Sequence, residues 1–124
     1  MTDNASASLA MVTIDCDDVK AESAFWKDLL GGETTEHGED YVMLKTESTT
    51  LGFGRVDGYA RPSWPDDGHK QFHLDLSVTD LEAAAAHAEE LGATRADPQP
   101  EGAEGKWIVL LDPAGHPFCV AIWG

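Results

Sequence analysis

His73 and Asp75 form the pair whose residue types and spacing best suit chemistry in this sequence. They alternate with apolar residues, so on a β-strand both side chains face the same side. A carboxylate beside an imidazole orients the ring and raises its basicity, which suits proton abstraction by His73. Alternatively, His73 could donate a hydrogen bond to a ligand or only stabilise the fold, and Asp75 could accept hydrogen bonds from backbone. Contact with a ligand is the interpretation we favour for His73.

Three further side chains could take part in a site. Cys119 could be a soft metal ligand or a nucleophile, although a buried cysteine that only packs is the commoner case. His116 lies three residues from Cys119 and should face the other side of a strand, so we do not expect a Cys-His dyad. Tyr59 and Trp64 lie in a stretch rich in Pro and Gly, where their rings could cover a bound organic molecule or bury that stretch on the domain.

The elements that position these residues begin with a strand-like alternation from Leu9 to Cys16. Asp17 and Asp18 then offer N-cap oxygens to a helix that ends at Gly31. Turn-forming residues separate three short predicted strands, at 33–37, 41–46 and 49–56. The next stretch, 57–70, has several Gly and Pro residues and no periodicity, so we expect a connecting loop.

The same pattern then returns. A strand is predicted at 71–78, and a helix capped by Thr79 and Asp80 follows and ends at Gly92. Three more strands are predicted at 94–98, 106–111 and 116–123. A shift of 62 residues places Met11 on His73 and Thr13 on Asp75. The sequence therefore predicts an α+β domain of two tandem βαβββ modules, at about 9–56 and 71–124, around a small-molecule pocket.

Composition limits the classes of function. The 124 residues, 42% of them hydrophobic, suit a single globular domain over 1–124. A formal net charge of −15 repels nucleic acid phosphates and anionic lipids, so we expect neither as a partner. No apolar run reaches the roughly 18 residues of a membrane span. The first ten residues lack the features of a signal peptide, and we expect a cytoplasmic protein with two reduced cysteines.

Several short motifs follow one another in a fixed order. They are Asp18-Val19, Phe25-Trp26, Leu29-Leu30-Gly31, His73-Leu74-Asp75-Leu76 and Asp112-Pro113-Ala114-Gly115-His116. In this order they resemble the vicinal oxygen chelate superfamily, most closely its glyoxalase-like, bleomycin-resistance-like branch. The resemblance covers nearly the whole chain. It implies a cupped mixed sheet around a central cavity, and a homodimer in which the cavity lies within one chain or across two.

Metalloenzymes of this superfamily bind one divalent cation with side chains from the first, fourth, fifth and eighth strands. The resemblance places these positions at Met11, Gly54, His73 and Cys119. Only His73 has the family's ligand type, because glycine has no side chain and a thioether is a poor ligand for a hard cation. The resemblance thus implies that the usual metal site is lost. We expect no cofactor, with a divalent metal as the alternative.

The predicted ligand pocket combines these residues, and His73 and Asp75 are its candidate catalytic pair. Its lining is predicted to be Met11, Thr13, Gly54, Tyr59, Trp64, His73, Asp75 and Cys119. The favoured hypothesis is a glyoxalase-like protein that binds a small organic molecule without the usual metal. One alternative is a metal-dependent lyase, isomerase or dioxygenase that uses His73, Asp75 and Cys119. Another is a degenerate, non-catalytic interaction domain.

Overall fold

The computed structural model describes residues 9–64 and 73–122. Two helices and eight strands occur within them: β1 (Val12–Cys16), α1 (Val19–Leu30), β2 (Glu33–Glu36), β3 (Tyr41–Lys45), β4 (Thr50–Arg55), β5 (Leu74–Ser77), α2 (Leu81–Leu91), β6 (Thr94–Arg95), β7 (Trp107–Leu111) and β8 (Pro117–Ala121). Strand, helix and three strands therefore follow one another twice. This order confirms the predicted pair of βαβββ modules. Neither described helix has the length and apolar character needed to cross a membrane.

Each module builds its own four-stranded mixed sheet. The strand order is β1-β4-β3-β2 in the first sheet and β5-β8-β7-β6 in the second. In each sheet the first strand of the module pairs in parallel with the last, while the other pairings are antiparallel. The predicted cupped sheet thus takes the form of two open sheets. Between the described strands of the two modules there is no ladder of backbone hydrogen bonds.

Both helices begin and end where the sequence predicts. Asp18 Oδ1 accepts a hydrogen bond from the Ala21 backbone N–H at 3.0 Å, and Asp80 Oδ1 accepts one from Ala83 at 3.1 Å. Gly31 follows α1 with a φ of 81°, a left-handed conformation in which a side chain would be strained. The caps fix the length of each helix, and with it the point at which the chain enters the next strand.

An aromatic cluster joins the two modules in the core. The rings of Phe25 and Trp26 on α1 lie 5.2 Å apart between centroids, and both contact Phe118 of β8, at 5.8 and 5.0 Å. Trp26 and Phe118 are fully buried, so this cluster contributes much of the apolar burial between the modules.

Alternation along the strands separates the core from the opposite face of each sheet. Leu51 and Phe53 of β4 are buried in the core, and Leu74 and Leu76 of β5 pack against it. His73 and Asp75 are consequently on the other face of the second sheet, as predicted, with Cys119 beside them.

The predicted strand at 94–98 is wrong in extent, because β6 has only two residues. The Ala96 N–H still donates to the Val109 carbonyl at 3.0 Å, but the reciprocal backbone bond from Val109 to Ala96 is not made, and Pro98 further along carries no backbone N–H. The Gln99 side chain takes over that role: its Nε2 donates to the carbonyls of Ala96 and Val109, and its Oε1 accepts from the Val109 N–H at 2.9 Å. β1 and β8 are likewise shorter than predicted, while residues 71, 72 and 123 lie outside the described part of the chain.

Candidate functional site

Three chemically active side chains meet on the open face of the second sheet. Asp75 and Cys119 are directly paired on the parallel strands β5 and β8, and His73 lies two residues before Asp75. His73 Nε2 lies 3.5 Å from Asp75 Oδ1, and one ligand atom of each of the three residues lies within 4.8 Å of those of the others. The predicted proximity of His73 and Asp75 therefore agrees with the geometry, and Cys119 joins them. We call these residues the His-Asp-Cys cluster.

A cavity of about 550 Å³ opens over this cluster. Besides the His-Asp-Cys cluster, its walls include the indoles of Trp64 and Trp107 and the apolar side chains of Pro100 and Val109. Its volume lies within the range of pockets that hold small organic ligands. A mostly apolar lining with a few polar groups at one place orients a ligand while burying most of its surface. Cys119 is only 8% exposed, so it is reached through this cavity.

Trp64 lines the cavity. Its Nε1–H donates to the Pro98 carbonyl at 2.8 Å, and its ring packs against the small buried cluster of Ala96, Val109 and Cys119. Trp64 therefore packs the connecting segment onto the domain and also lines the cavity, and contact of its ring with a ligand stays a prediction. Trp107 packs against the same cluster and also lines the cavity. The sequence analysis did not predict it as a pocket residue.

The first-module residues of the predicted pocket lie elsewhere. Thr13 Oγ1 is 3.1 Å from the Tyr41 hydroxyl, which also donates to the Met11 sulfur at 3.3 Å. The Tyr41 ring crosses the surface of β4, where a β-carbon on Gly52 would overlap its hydroxyl and one on Gly54 would touch its ring at 3.4 Å. Met11, Thr13 and Gly54 therefore surround a tyrosine of their own sheet and do not line the cavity of the second module.

Strand pairing shows how the two halves correspond. Thr13 pairs with Gly52 just as Asp75 pairs with Cys119, so the counterpart of Cys119 is Gly52 and not Gly54. Tyr41 pairs with Gly54, and its counterpart Trp107 pairs with Ala121. The Tyr41 hydroxyl thus lies in the space that the Cys119 side chain fills in the second module. Tyr41 and Trp107 were missed by the sequence reasoning, although an aromatic residue begins the third strand of each half.

Tyr59 lies at the junction between the modules. Its hydroxyl donates to the Ala114 carbonyl at 2.7 Å and lies 3.2 Å from His116 Nε2. His116 Nε2 is also 2.6 Å from the Asp15 carbonyl, an acceptor, so this nitrogen carries a proton. Burial, reinforced by the Asp112 and Glu22 carboxylates, raises the pKa of Tyr59. Tyr59 is not part of the described cavity lining, and His116 is engaged away from Cys119, as expected.

A buried acidic pair lies beneath this junction, and sequence reasoning gave no sign of it. Glu22 on α1 and Asp112 after β7 are each 1% exposed, and both accept a hydrogen bond from Trp26 Nε1. Both also accept from the Ala114 backbone N–H. Burial, together with a hydrogen bond to Asp112 and its charge, raises the pKa of Glu22 to about 9. The folded chain therefore favours the protonated form of Glu22.

The superfamily's usual metal does not fit the residues at its four positions. The Met11 thioether already accepts from Tyr41, and neither Gly52 nor Gly54 offers a side-chain donor. His73 and Cys119 alone would hold the cation from one side. Two donors fall short of the three or more that a catalytic site of this kind requires.

Comparison with known proteins agrees with this fold. A family model described as a glyoxalase-like domain matches residues 11–121. A glyoxalase/bleomycin resistance protein/dioxygenase family enzyme from Burkholderia phytofirmans PsJN is 25% identical, with a TM-score of 0.70 over 92% of this chain and 97% of that one. A glyoxalase family protein from Enterococcus faecalis is 26% identical, with a TM-score of 0.69 over 92% and 96%.

The structure of a named enzyme is also similar in fold. The trypanothione-dependent glyoxalase I of Leishmania major is 20% identical, with a TM-score of 0.64 over 94% of this chain and 87% of that one. No curated protein sequence matches the chain. The chain belongs to the glyoxalase-like domain family, within the vicinal oxygen chelate fold.

Proposed function

We propose that this chain binds a small, flat, largely apolar organic molecule in the cavity of its second module. The cavity of about 550 Å³ over the His-Asp-Cys cluster carries this proposal. Trp64 and Trp107 offer indole faces to a planar ligand, and Val109 and Pro100 add apolar surface. His73 and Asp75 supply the polar groups that would fix the ligand's orientation.

The polar groups at the base of the cavity are accessible to a ligand. The side chains of His73 and Asp75 are 44% and 43% exposed, and they hold each other at 3.5 Å. A ligand oxygen or nitrogen can therefore reach either group without displacing a buried partner, which keeps the cost of desolvation low. Binding in this form does not need the superfamily's usual cation.

Screening against a library of planar organic compounds tests the proposal. Chelator-treated protein is screened by thermal shift, and the affinity of each stabilising compound is then measured by titration calorimetry. Trp107→Leu removes an indole wall and is expected to weaken binding roughly tenfold or more. Tyr41→Phe is the matched control, because it changes an aromatic residue at the corresponding place in the first module and leaves the cavity intact.

Two results would contradict the proposal. One is a library in which no compound stabilises the chain. The other is a set of compounds that bind Trp107→Leu as tightly as the natural sequence, since their site would then lie outside the second-module cavity.

A further inference from the structure

We propose that His73, Asp75 and Cys119 form a binding site for a thiophilic divalent cation such as Zn²⁺, built by the second module alone. The site would lie at the base of the cavity that is proposed to bind an organic ligand, but it does not depend on that ligand. It uses a donor set that differs from the superfamily's usual one, because Asp75 enters and the first module contributes nothing.

The cluster comes close to the geometry that such a cation requires. In an ideal tetrahedral site with metal–ligand bonds of about 2.0 Å, a nitrogen donor and an oxygen donor lie about 3.3 Å from each other. His73 Nε2 and Asp75 Oδ1 are 3.5 Å apart. The Cys119 sulfur lies within 4.8 Å of both ligand atoms, so a movement of about 1 Å, available through side-chain rotation, brings it to bonding distance.

The backbone supports this arrangement. Asp75 and Cys119 are paired on the neighbouring strands β5 and β8, whose core-facing neighbours, among them Phe118 and Val120, are buried. Donors on paired strands of a sheet are held more firmly than donors on loops. Rotation of the three side chains on this fixed backbone is therefore enough to close the site.

The chemistry of the donors selects the class of cation. A thiolate and an imidazole favour Zn²⁺ and similar borderline ions, whereas Mg²⁺ and Ca²⁺ prefer oxygen ligands. The thiolate and the Asp75 carboxylate together balance a charge of +2. The chain's net charge of −15 also raises the concentration of cations near its surface. Three protein donors leave a fourth position, which faces the cavity.

The first module provides a comparison within the same chain. The counterparts of His73, Asp75 and Cys119 are Met11, Thr13 and Gly52. These offer a thioether and a hydroxyl that already bond to the Tyr41 hydroxyl, and no third side chain. A metal bound by this chain is therefore expected at one module only.

Titration of the full chain with Co²⁺, a spectroscopic substitute for Zn²⁺, tests the site. Chelator-treated protein without a polyhistidine tag is expected to bind one Co²⁺ per chain and to show thiolate-to-cobalt charge-transfer absorption in the near ultraviolet. Cys119→Ser is expected to abolish this absorption, and His73→Gln to weaken Zn²⁺ affinity by more than about 100-fold in calorimetry. Asp75→Asn keeps the thiolate but removes a donor, so it is expected to weaken Co²⁺ affinity, and this loss tests the site should Cys119→Ser fail to fold.

Cys16→Ala is the control, because Cys16 is fully buried in the core and points its thiol at the Gly54 carbonyl. It should leave the cobalt spectrum unchanged. Cobalt binding without charge-transfer absorption, absorption that survives loss of the Cys119 thiol, unchanged affinity in Asp75→Asn, or no stoichiometric binding would overturn the proposed site. Ligand affinity measured in chelator-treated protein reports separately on the proposed function, so either proposal can fail alone.

Discussion

Glu22 on α1 and Asp112 after β7 place their carboxyl groups around a single indole N–H. Trp26 Nε1 lies 3.2 Å from Glu22 Oε2 and 3.0 Å from Asp112 Oδ2, in a region that water does not reach. Asp112 Oδ1 also accepts from the His116 backbone N–H at 2.8 Å. This pair connects the first helix to the turn before β8, so its protonation affects the contact between the modules.

Stability is expected to fall as pH rises. The pKa of Glu22 is raised from 4.5 to about 9 in the folded chain, so its protonated form stabilises the fold. That stabilisation is complete below pH 4.5 and is lost as pH rises through 9, by up to about 1.4 kcal/mol per pH unit. Glu22→Gln should flatten this dependence and raise stability at pH 8 relative to the natural sequence.

Urea unfolding at pH 5, 7 and 8.5 measures how the free energy of unfolding depends on pH. These values are about one to two pH units apart, which is enough to resolve the expected slope. Glu90→Gln, a change at an exposed position of α2, is the control and should leave the pH dependence as it is. If the free energy of unfolding depends on pH in the same way for Glu22→Gln and the natural chain, the raised pKa of Glu22 is contradicted.

Gly52→Ala is expected to destabilise the chain by about 1–3 kcal/mol, because its β-carbon would overlap the Tyr41 hydroxyl. In the double variant with Tyr41→Phe, part of this loss should be recovered, since the atom that is overlapped is gone. A double-mutant cycle from thermal or urea unfolding measures the coupling. Simple additivity of the two changes would contradict the predicted contact.

Gln99→Ala is expected to cost about 1–3 kcal/mol, since it removes the bonds to Ala96 and Val109 that replace a strand ladder. Hydrogen exchange at the Val109 amide should accelerate, because this N–H donates to Gln99 Oε1. Gln99→Glu keeps the acceptor but loses the donor, and should give an intermediate rate. Unchanged protection of Val109 in Gln99→Ala would argue against this role.

A homodimer stays a prediction. Val12 on the outer strand β1 is 37% exposed, and Ile122 after β8 is 50% exposed, which leaves apolar surface available on both modules. We expect size-exclusion chromatography with light scattering to give twice the chain mass. A monomer at all concentrations up to those used for ligand titration would contradict this expectation.

The sequence predicted the modules well, because their signals are local. Asp18 and Asp80 indicate where the helices begin, and the alternation around His73 and Asp75 predicts that these side chains share one face. The acidic pair of Glu22 and Asp112 was not predictable in this way. The spacing from Val19, Trp26 and Leu29 places Glu22 on the apolar face of α1, but its partner is 90 positions away and no local pattern indicates that Asp112 lies against it.

The candidate site was predicted in part for the same reason. Period-two alternation brings His73 and Asp75 together, but the register between strands decides which residues lie beside them. The register makes Gly52 the first-module counterpart of Cys119. It also places Tyr41 over the first sheet and Trp107 beside the cavity. A spacing pattern within one strand contains no information on these cross-strand neighbours.

Tyr41 has a consequence for the stoichiometry of binding. Since its hydroxyl closes the space over Gly52, the two modules are not equivalent receptors, and saturation is expected at one ligand per chain. Although the chain contains two similar modules, only one is expected to bind ligand, so no cooperativity between modules of one chain is expected. Any sigmoidal binding curve would instead report communication between separate copies of the chain.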